Sequence, residues 1–338
     1  MNGRLGKIKI AFLIFLIAGT FFILKNHNKP EVYTTNQGYI FGTQYNIKYK
    51  STDDLHKEIR GVLGEVDNAL SMFNKKSIIS AFNNNADTTA NAMFTEVFNL
   101  AQEISEKTGG AFDITVAPLV NVWGFGFKKG ELPDSNTVEN LLKSVGYKTV
   151  ALKDGKLTKQ NTSTMLDCSA IAKGYGSDAV ARLFDSRNIT DYMIEIGGEV
   201  VTKGINDKGT AWNISISKPT EDTTASSTAH QAIMSITGKG LATSGNYRNY
   251  RIENGKKYAH TIDPRTGYPV QHSLLSATVV ADNCATADAF ATAFMVMGLE
   301  EAFKICKDNQ IDAYFIYADD NGEFKTKETE GFKYYLKH

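Results

Sequence analysis

The sequence lacks a net charge: 37 Lys and Arg residues balance 37 Asp and Glu residues over 338 positions. Such a chain has no basic field for a phosphodiester backbone, so no nucleic acid is expected as a partner. Cysteine is scarce. Cys168, Cys284 and Cys306 are odd in number and far apart, which excludes a disulfide framework and a paired-cysteine zinc site and leaves them as buried thiols. Motifs are missing too. There is no P-loop, no HExxH helix and no GxSxG elbow, and the glycines of Trp123-Gly124-Phe125-Gly126 do not fit GxGxxG. The six histidines are scattered. Zinc hydrolases, serine hydrolases and dinucleotide-binding Rossmann domains are therefore poorly supported. An anionic ligand would have to be held locally, by a metal, a lysine or backbone N–H groups.

What is present begins at the N-terminus. Arg4, Lys7 and Lys9 precede an apolar run over 10–24 that Lys25 closes. Fifteen residues is short against the roughly 20 of a usual span, but Lys9 can snorkel and let Ile8 join. The basic flank at 1–9 orients the N-terminus toward the cytoplasm and the rest outward. The reading is a single-pass signal anchor in a bacterial inner membrane, a polar linker over 25–38, and a domain over 39–338 on the extracytoplasmic, periplasmic side. Cleavage at the small residues Ala18-Gly19-Thr20 is the alternative. Leu16-Ile17-Ala18-Gly19 is similar to a lipoprotein signal, but Thr20 stands where the lipidated cysteine would be.

Hydrophobic periodicity predicts helices over 54–72, 94–107, 134–146, 170–185, 285–297 and 300–308. Strands are predicted over 39–49, 148–158, 164–168, 213–218, 233–238, 248–252, 257–262, 275–281, 312–317 and 332–336. A hairpin is predicted from 192–196 and 199–203 about Gly197-Gly198. The Thr-, Ser- and Asp-rich stretch over 219–231 reads as a mobile loop. Strands outnumber helices and adjoin at hairpin distance, so the fold class is α+β with a largely antiparallel sheet.

Four stretches could carry chemistry. Asp288 and Thr292 lie four apart in an alanine-rich helix and share a face, a hard-oxygen pair suited to Mg²⁺; the plain alternative is a helix-start carboxylate with a back-bonded threonine. Asp167 through Gly176 puts an acid, Lys173 and two glycines at a strand-to-helix junction, suited to phosphate or simply to helix capping. Thr243-Ser244-Gly245 and, further on, His260 through Gly267 read as a hairpin region with one histidine. Thr108 to Pro118 sets Asp113 after a glycine-marked helix end, where an Asx-type turn is the alternative.

Taken in order, these stretches resemble the ApbE family, the FAD:protein FMN transferases. The resemblance spans Phe41-Gly42-Thr43 to about Gly298. It rests on Gly109-Gly110-Ala111-Phe112-Asp113, Asp167 to Gly174, Ile196-Gly197-Gly198-Glu199, Thr243-Ser244-Gly245, His260 to Gly267, and Ala287-Asp288 with Thr292. It implies an ApbE-like fold of layered antiparallel sheets with flanking helices, resembling a duplicated T-fold. It implies Mg²⁺ on Asp288, Thr292 and the Ala170 carbonyl. It implies FAD against Phe41, Phe73, Ala111, Phe112, Asp113, Asp167, Lys173, Thr243 and His260, with His260 as the general base. The implied reaction moves FMN from FAD to a Thr or Ser hydroxyl of a partner, a flavin-carrying subunit of a membrane redox complex, and releases AMP. A Mg²⁺-dependent FAD pyrophosphatase and a non-catalytic flavin carrier are the alternatives. Phe41 stands where the family often has Met, and Phe73 where it often has Tyr, so a phenol is lost there.

Overall fold

A computed structural model of the chain describes residues 32–127, 131–219, 230–246, 250–253 and 256–337, with positions 16, 19 and 20. The apolar run over 10–24 lies almost wholly outside these, as do residues 220–229 of the predicted loop. Among the described residues no helix is long and apolar enough to cross a membrane.

The core element is one eight-stranded sheet, antiparallel throughout, in the order β1-β2-β5-β6-β9-β12-β13-β14. Its strands are β1 (Tyr33–Ile40), β2 (Thr43–Lys50), β5 (Tyr192–Ile196), β6 (Glu199–Lys203), β9 (Lys239–Gly245), β12 (Leu274–Ala281), β13 (Asp312–Ala318) and β14 (Phe324–Glu328). Three ribbons accompany it: β3 (Val150–Lys153) with β4 (Lys156–Lys159), β7 (Trp212–Ser217) with β8 (His230–Ile236), and β10 (Tyr250–Glu253) with β11 (Lys256–Ala259). The period of two sorts side chains between the faces. On β9, Ala242 joins the helical core while Leu241 packs with Ile216, Met234 and Ile236 of the β7–β8 ribbon. Helices thus cover one face and a ribbon part of the other. In place of stacked full sheets there is a single broad one.

The helices are α1 (His56–Leu70), α2 (Ile78–Asn83), α3 (Ala92–Lys107), α4 (Ala117–Val122), α5 (Ser135–Leu142), α6 (Ala172–Ser186), α7 (Cys284–Met297) and α8 (Leu299–Asn309). The apolar stripe Ile59, Leu63, Val66 and Leu70 seats α1. In α3, Asn91 Oδ1 accepts the Phe94 N–H at 2.8 Å, and Phe94, Val97, Phe98, Ala101 and Ile104 are buried. α7 is buried nearly all round: it lies on β9 and β12 and packs on α3, α6 and α8. Its alanines allow close approach by neighbouring backbone, while Phe290, Phe294, Met295 and Val296 are buried along the same helix.

Several predicted elements differ. The strand over 39–49 is a hairpin folded at Phe41-Gly42, where both residues take positive φ, 51° and 75°. Its first arm takes residues 33–38 out of the expected linker. The strand over 148–158 is likewise folded at Asp154-Gly155. Residues 164–168 form no strand; Met165 makes an isolated bridge with Val116, and Leu166 is held by Asn83. The last predicted strand is a 3-10 turn, Phe332–Tyr335. β9 and β14 were not predicted as strands. α2 and α4, six residues each, span under two turns, too few to show a helical period.

Candidate active site

Residues from seven separated stretches line one cavity of about 440 Å³. Its deep wall is the place where α6, α7 and β6 meet. The β5–β6 turn, Gly197-Gly198, has φ of 66° and 107°, conformations open to glycine, and it delivers Glu199 to the cavity as the first residue of β6. Lys173 enters from the first turn of α6 and Asp288 from α7. Lys173 Nζ stands 3.3 Å from Glu199 Oε1 and 4.0 Å from Asp288 Oδ1. Burial works against the ammonium, but the Asp288 and Glu199 carboxylates outweigh it and hold the Lys173 pKa above its ordinary value. Burial raises both acids: Asp288 is 1% exposed and Glu199 4%, each partly countered by Lys173. Glu199 Oε2 is buried without a hydrogen-bond partner. A buried polar atom in that state is costly, and a group entering the cavity would supply what it lacks.

The start of α6 adds a main-chain acceptor. The Gly174 N–H, which in a helix begun earlier would bond back to Ala170, donates to Asp288 Oδ2 at 3.1 Å. This spares the Ala170 carbonyl that donor. One turn beyond Asp288, Thr292 Oγ1 lies 3.1 Å from Ser244 Oγ of β9. One carboxylate, hydroxyls and a carbonyl form a hard-oxygen donor set. Among the described residues no three His, Cys, Asp or Glu side chains cluster to hold a metal. Hard-oxygen sets of this kind suit cations such as Mg²⁺, which commonly uses one or two carboxylates plus substrate phosphates.

The opposite wall comes from residues 111–126 and 260–264. His260 follows β11, with the Phe125 ring edge-on at 6.4 Å. Its loop is tied down: Thr261 Oγ1 donates to Asn246 Oδ1 at 2.6 Å, and the Arg265 side chain donates to Asp263 at 3.0 Å. Asp113 lies in the wall with both oxygens engaged. Oδ1 accepts the N–H and the hydroxyl of Thr115, each at 2.7 Å, and Oδ2 accepts the Tyr147 N–H at 2.6 Å. The Asx-type turn is therefore real, and burial raises the Asp113 pKa against these bonds. Asp167 Oδ1 likewise accepts the Ser169 N–H at 2.8 Å. Thr243 pairs its hydroxyl with Thr278 at 2.8 Å.

Of the sequence-predicted residues, Phe73, Ala111, Phe112, Asp113, Asp167, Ala170, Lys173, Thr243, His260, Asp288 and Thr292 all line this cavity. Phe41 lines an adjoining space of about 660 Å³ that shares Met72, Phe73, Ser169 and Lys173 with it. Phe73 is exposed and stacks edge-on with Phe127, centroids 5.3 Å apart. Sequence reasoning passed over Glu199 and Ser244, although both sit in stretches it singled out; an acid directly after a Gly-Gly turn was the available signal.

The sequence profile of the ApbE family matches residues 41–315. The chain is 38% identical to the FAD:protein FMN transferase of Haemophilus influenzae, covering 88% of this chain and 89% of that one. It is 31% identical to the FAD:protein FMN transferase of Escherichia coli K12, covering 96% and 97%. Among solved structures, the flavin transferase ApbE from Vibrio cholerae superposes with a TM-score of 0.82 at 35% identity, over 91% of this chain and all of that one. The Pseudomonas stutzeri flavinyl transferase ApbE gives 0.82 at 30% identity, over 91% and 98%.

Proposed function

The chain belongs to the ApbE family and transfers FMN from FAD to protein, and from that premise we propose how the cavity does so. The acceptor is a Thr or Ser hydroxyl of a partner, a flavin-carrying subunit of a membrane redox complex. The hydroxyl oxygen bonds to the FMN phosphorus, the pyrophosphate P–O bond breaks, and AMP leaves with the bridging oxygen. His260, at the cavity wall, takes the hydroxyl proton. Lys173 sets a fixed positive charge where the pyrophosphate lies. Its two acidic neighbours, Asp288 and Glu199, hold its pKa above the ordinary value. Phe41 and Phe73 offer ring faces to the flavin. Asp288, Thr292 and the Ala170 carbonyl would hold Mg²⁺, which when bound would offset charge on the phosphates. Asp113 spends both its oxygens on the walls and Asp167 its Oδ1, and so they help fix the shape of the cavity.

The observation that carries this reading is the spared Ala170 carbonyl beside the Asp288 and Thr292 pair, in a cavity that also holds Lys173 and His260. The test is to mix the protein with FAD, Mg²⁺ and a candidate acceptor, then look for covalent flavin fluorescence on a denaturing gel. Fast AMP release with no acceptor present would instead mark a pyrophosphatase.

The basic flank before residue 10 supports an anchor with the domain on the extracytoplasmic side of a bacterial inner membrane. A phosphatase reporter fused after residue 38 should be active outside the cytoplasm; a reporter active only inside would reverse the orientation.

A further inference from the structure

Helices α6 and α7 cap each other. From α7, Asp288 accepts the Gly174 N–H in the first turn of α6. From α6, Asp178 returns the bond twice: Oδ1 accepts the Cys284 N–H and Oδ2 the Ala285 N–H, both at 2.8 Å, in the first turn of α7. The first N–H groups of a helix have no partner inside it, and the usual cap is the residue just before. α7 has that cap as well, since Asn283 Oδ1 accepts the Thr286 N–H at 2.9 Å. The Asp178 bonds are therefore additional, and they run between elements more than 100 residues apart in sequence. Asp178 is 8% exposed and does not line the cavity.

The two helix starts touch backbone to backbone. A Cβ on Gly174 would fall 2.4 Å from the Cys284 carbonyl oxygen, so only glycine allows this approach. The oxygens assigned to the cation are divided across the same junction. The Ala170 carbonyl belongs to the α6 side, and Asp288 and Thr292 to α7. Their spacing is fixed by how α7 sits on α6, and Mg²⁺ demands near-ideal octahedral geometry at about 2.0–2.1 Å.

We propose that Asp178 is a positioning residue for the cation site, tying the first turn of α7 to α6 so that Asp288 and Thr292 meet the Ala170 carbonyl at the spacing Mg²⁺ requires. The inference rests on the metal reading given above. Partners that orient metal ligands typically cost 10- to 100-fold in metal affinity when removed.

The test is direct metal binding by the full chain. Loss of the free Mn²⁺ electron-spin-resonance signal is followed with FAD present, Mg²⁺ affinity is obtained by competition, and melting is measured in parallel. Asp178→Asn keeps one acceptor oxygen and turns an amide toward a backbone N–H. It should weaken Mn²⁺ and Mg²⁺ at least about tenfold. The Mg²⁺ concentration for half-maximal transfer should rise by the same factor. Asn283→Ala removes the exposed cap of the same helix and serves as control: it should lower the melting temperature and leave both metals bound as in the parent. Asp178→Glu keeps both oxygens but moves them by a methylene, and should weaken the metals too, which covers a failure of Asp178→Asn to fold. A folded Asp178 variant that melts lower yet binds Mn²⁺ and Mg²⁺ like the parent overturns the proposal and makes Asp178 purely structural. If the parent itself binds neither metal, the metal reading fails, and that result is distinct because it needs no variant.

Discussion

The deep wall of the cavity and its rim are built by opposite means. In the deep wall, Lys173, Asp288 and Glu199 are ionisable groups in mutual contact, Asp288 and Glu199 are buried, and Asp288 is also held by a backbone bond between packed helices. At the rim, Phe73 and Phe127 are 63% and 51% exposed and meet only ring to ring. Buried charge is costly unless its partners are fixed, so the deep wall is rigid by necessity. An exposed aromatic pair has no such constraint and can part and close around a ligand. On the proposed function, phosphate and cation belong to the first region, and the admission of flavin, acceptor and water to the second.

The sharpest way to break this comparison is Asp288→Ala. If the deep wall carries the chemistry, transfer should fall by about a thousandfold or more, as several kcal/mol of charge stabilisation is lost. Melting should fall only in part, because alanine favours the helix and relieves a buried carboxylate while the Gly174 N–H and the Lys173 ammonium lose a buried partner. Near-normal Mg²⁺-dependent turnover by the variant would remove Asp288 from the cation site. His260→Ala, on the facing wall, should cost about a hundredfold or more in rate, with FAD affinity little changed. An equal loss of FAD affinity, measured by flavin fluorescence quenching, would make His260 a binding residue.

Acidity tests the rigidity of the deep wall. Burial lifts the Asp178 pKa from 3.8 to about 6, against the two backbone N–H groups that favour its charge. A carboxyl with a raised folded-state pKa contributes stability that is complete below the unfolded value and is lost as pH rises through the folded one. Between pH 4 and pH 7 the parent should thus lose up to about 3 kcal/mol relative to a variant that does not titrate there. Denaturant melts of the parent and Asp178→Asn at pH 4.5 and 7.5 would show the gap between them narrowing at the higher pH. A gap independent of pH would mean that Asp178 keeps an ordinary carboxyl pKa.

The same contrast explains what the sequence disclosed. Helix starts and ends were legible where caps and periodicity coincide, as in α3 behind Asn91 and α7 between Asn283 and Gly298. The hairpin at Gly197-Gly198 was legible because two glycines and β-branched flanks leave little else. Folding at Phe41-Gly42 was not, since a phenylalanine with positive φ runs against its own preference and looks like mid-strand. Strand β9 was hidden because Gly240, Ala242, Ser244 and Gly245 are small, so its pattern lacks the bulk of a typical strand. Those small residues are there because α7 lies directly on it: a Cβ on Gly240 would come 2.3 Å from the Cys284 nitrogen. Site residues emerged from the resemblance, and Glu199 was passed over because its role depends on Lys173 and Asp288, which only the fold brings near. Asp178 was hidden for the same reason: its partners are backbone groups that leave no mark on side-chain sequence.

The smallest expected effect lies at the rim. Water and a protein hydroxyl compete for the same phosphorus, and the outcome depends on how dry the site is and how each nucleophile is held. Phe73 lines both the cavity and the adjoining space, so its ring stands between them. FAD hydrolysis without acceptor should be slow in the parent and FMN transfer with acceptor much faster. Phe73→Asn replaces an apolar ring by a small polar group and should raise hydrolysis relative to transfer severalfold, read as AMP released per flavin attached. Phe127 sharpens the point. If the two rings close the rim together, their edge-on contact contributes about 0.5–1.5 kcal/mol. The effects of Phe73→Ala and Phe127→Ala on the hydrolysis-to-transfer ratio should then be non-additive by roughly two- to tenfold in a double-mutant cycle. Strict additivity would mean that each ring acts alone. No change in the ratio from either substitution would move the exclusion of water from the rim to the deep wall, and the division between the two regions would fail.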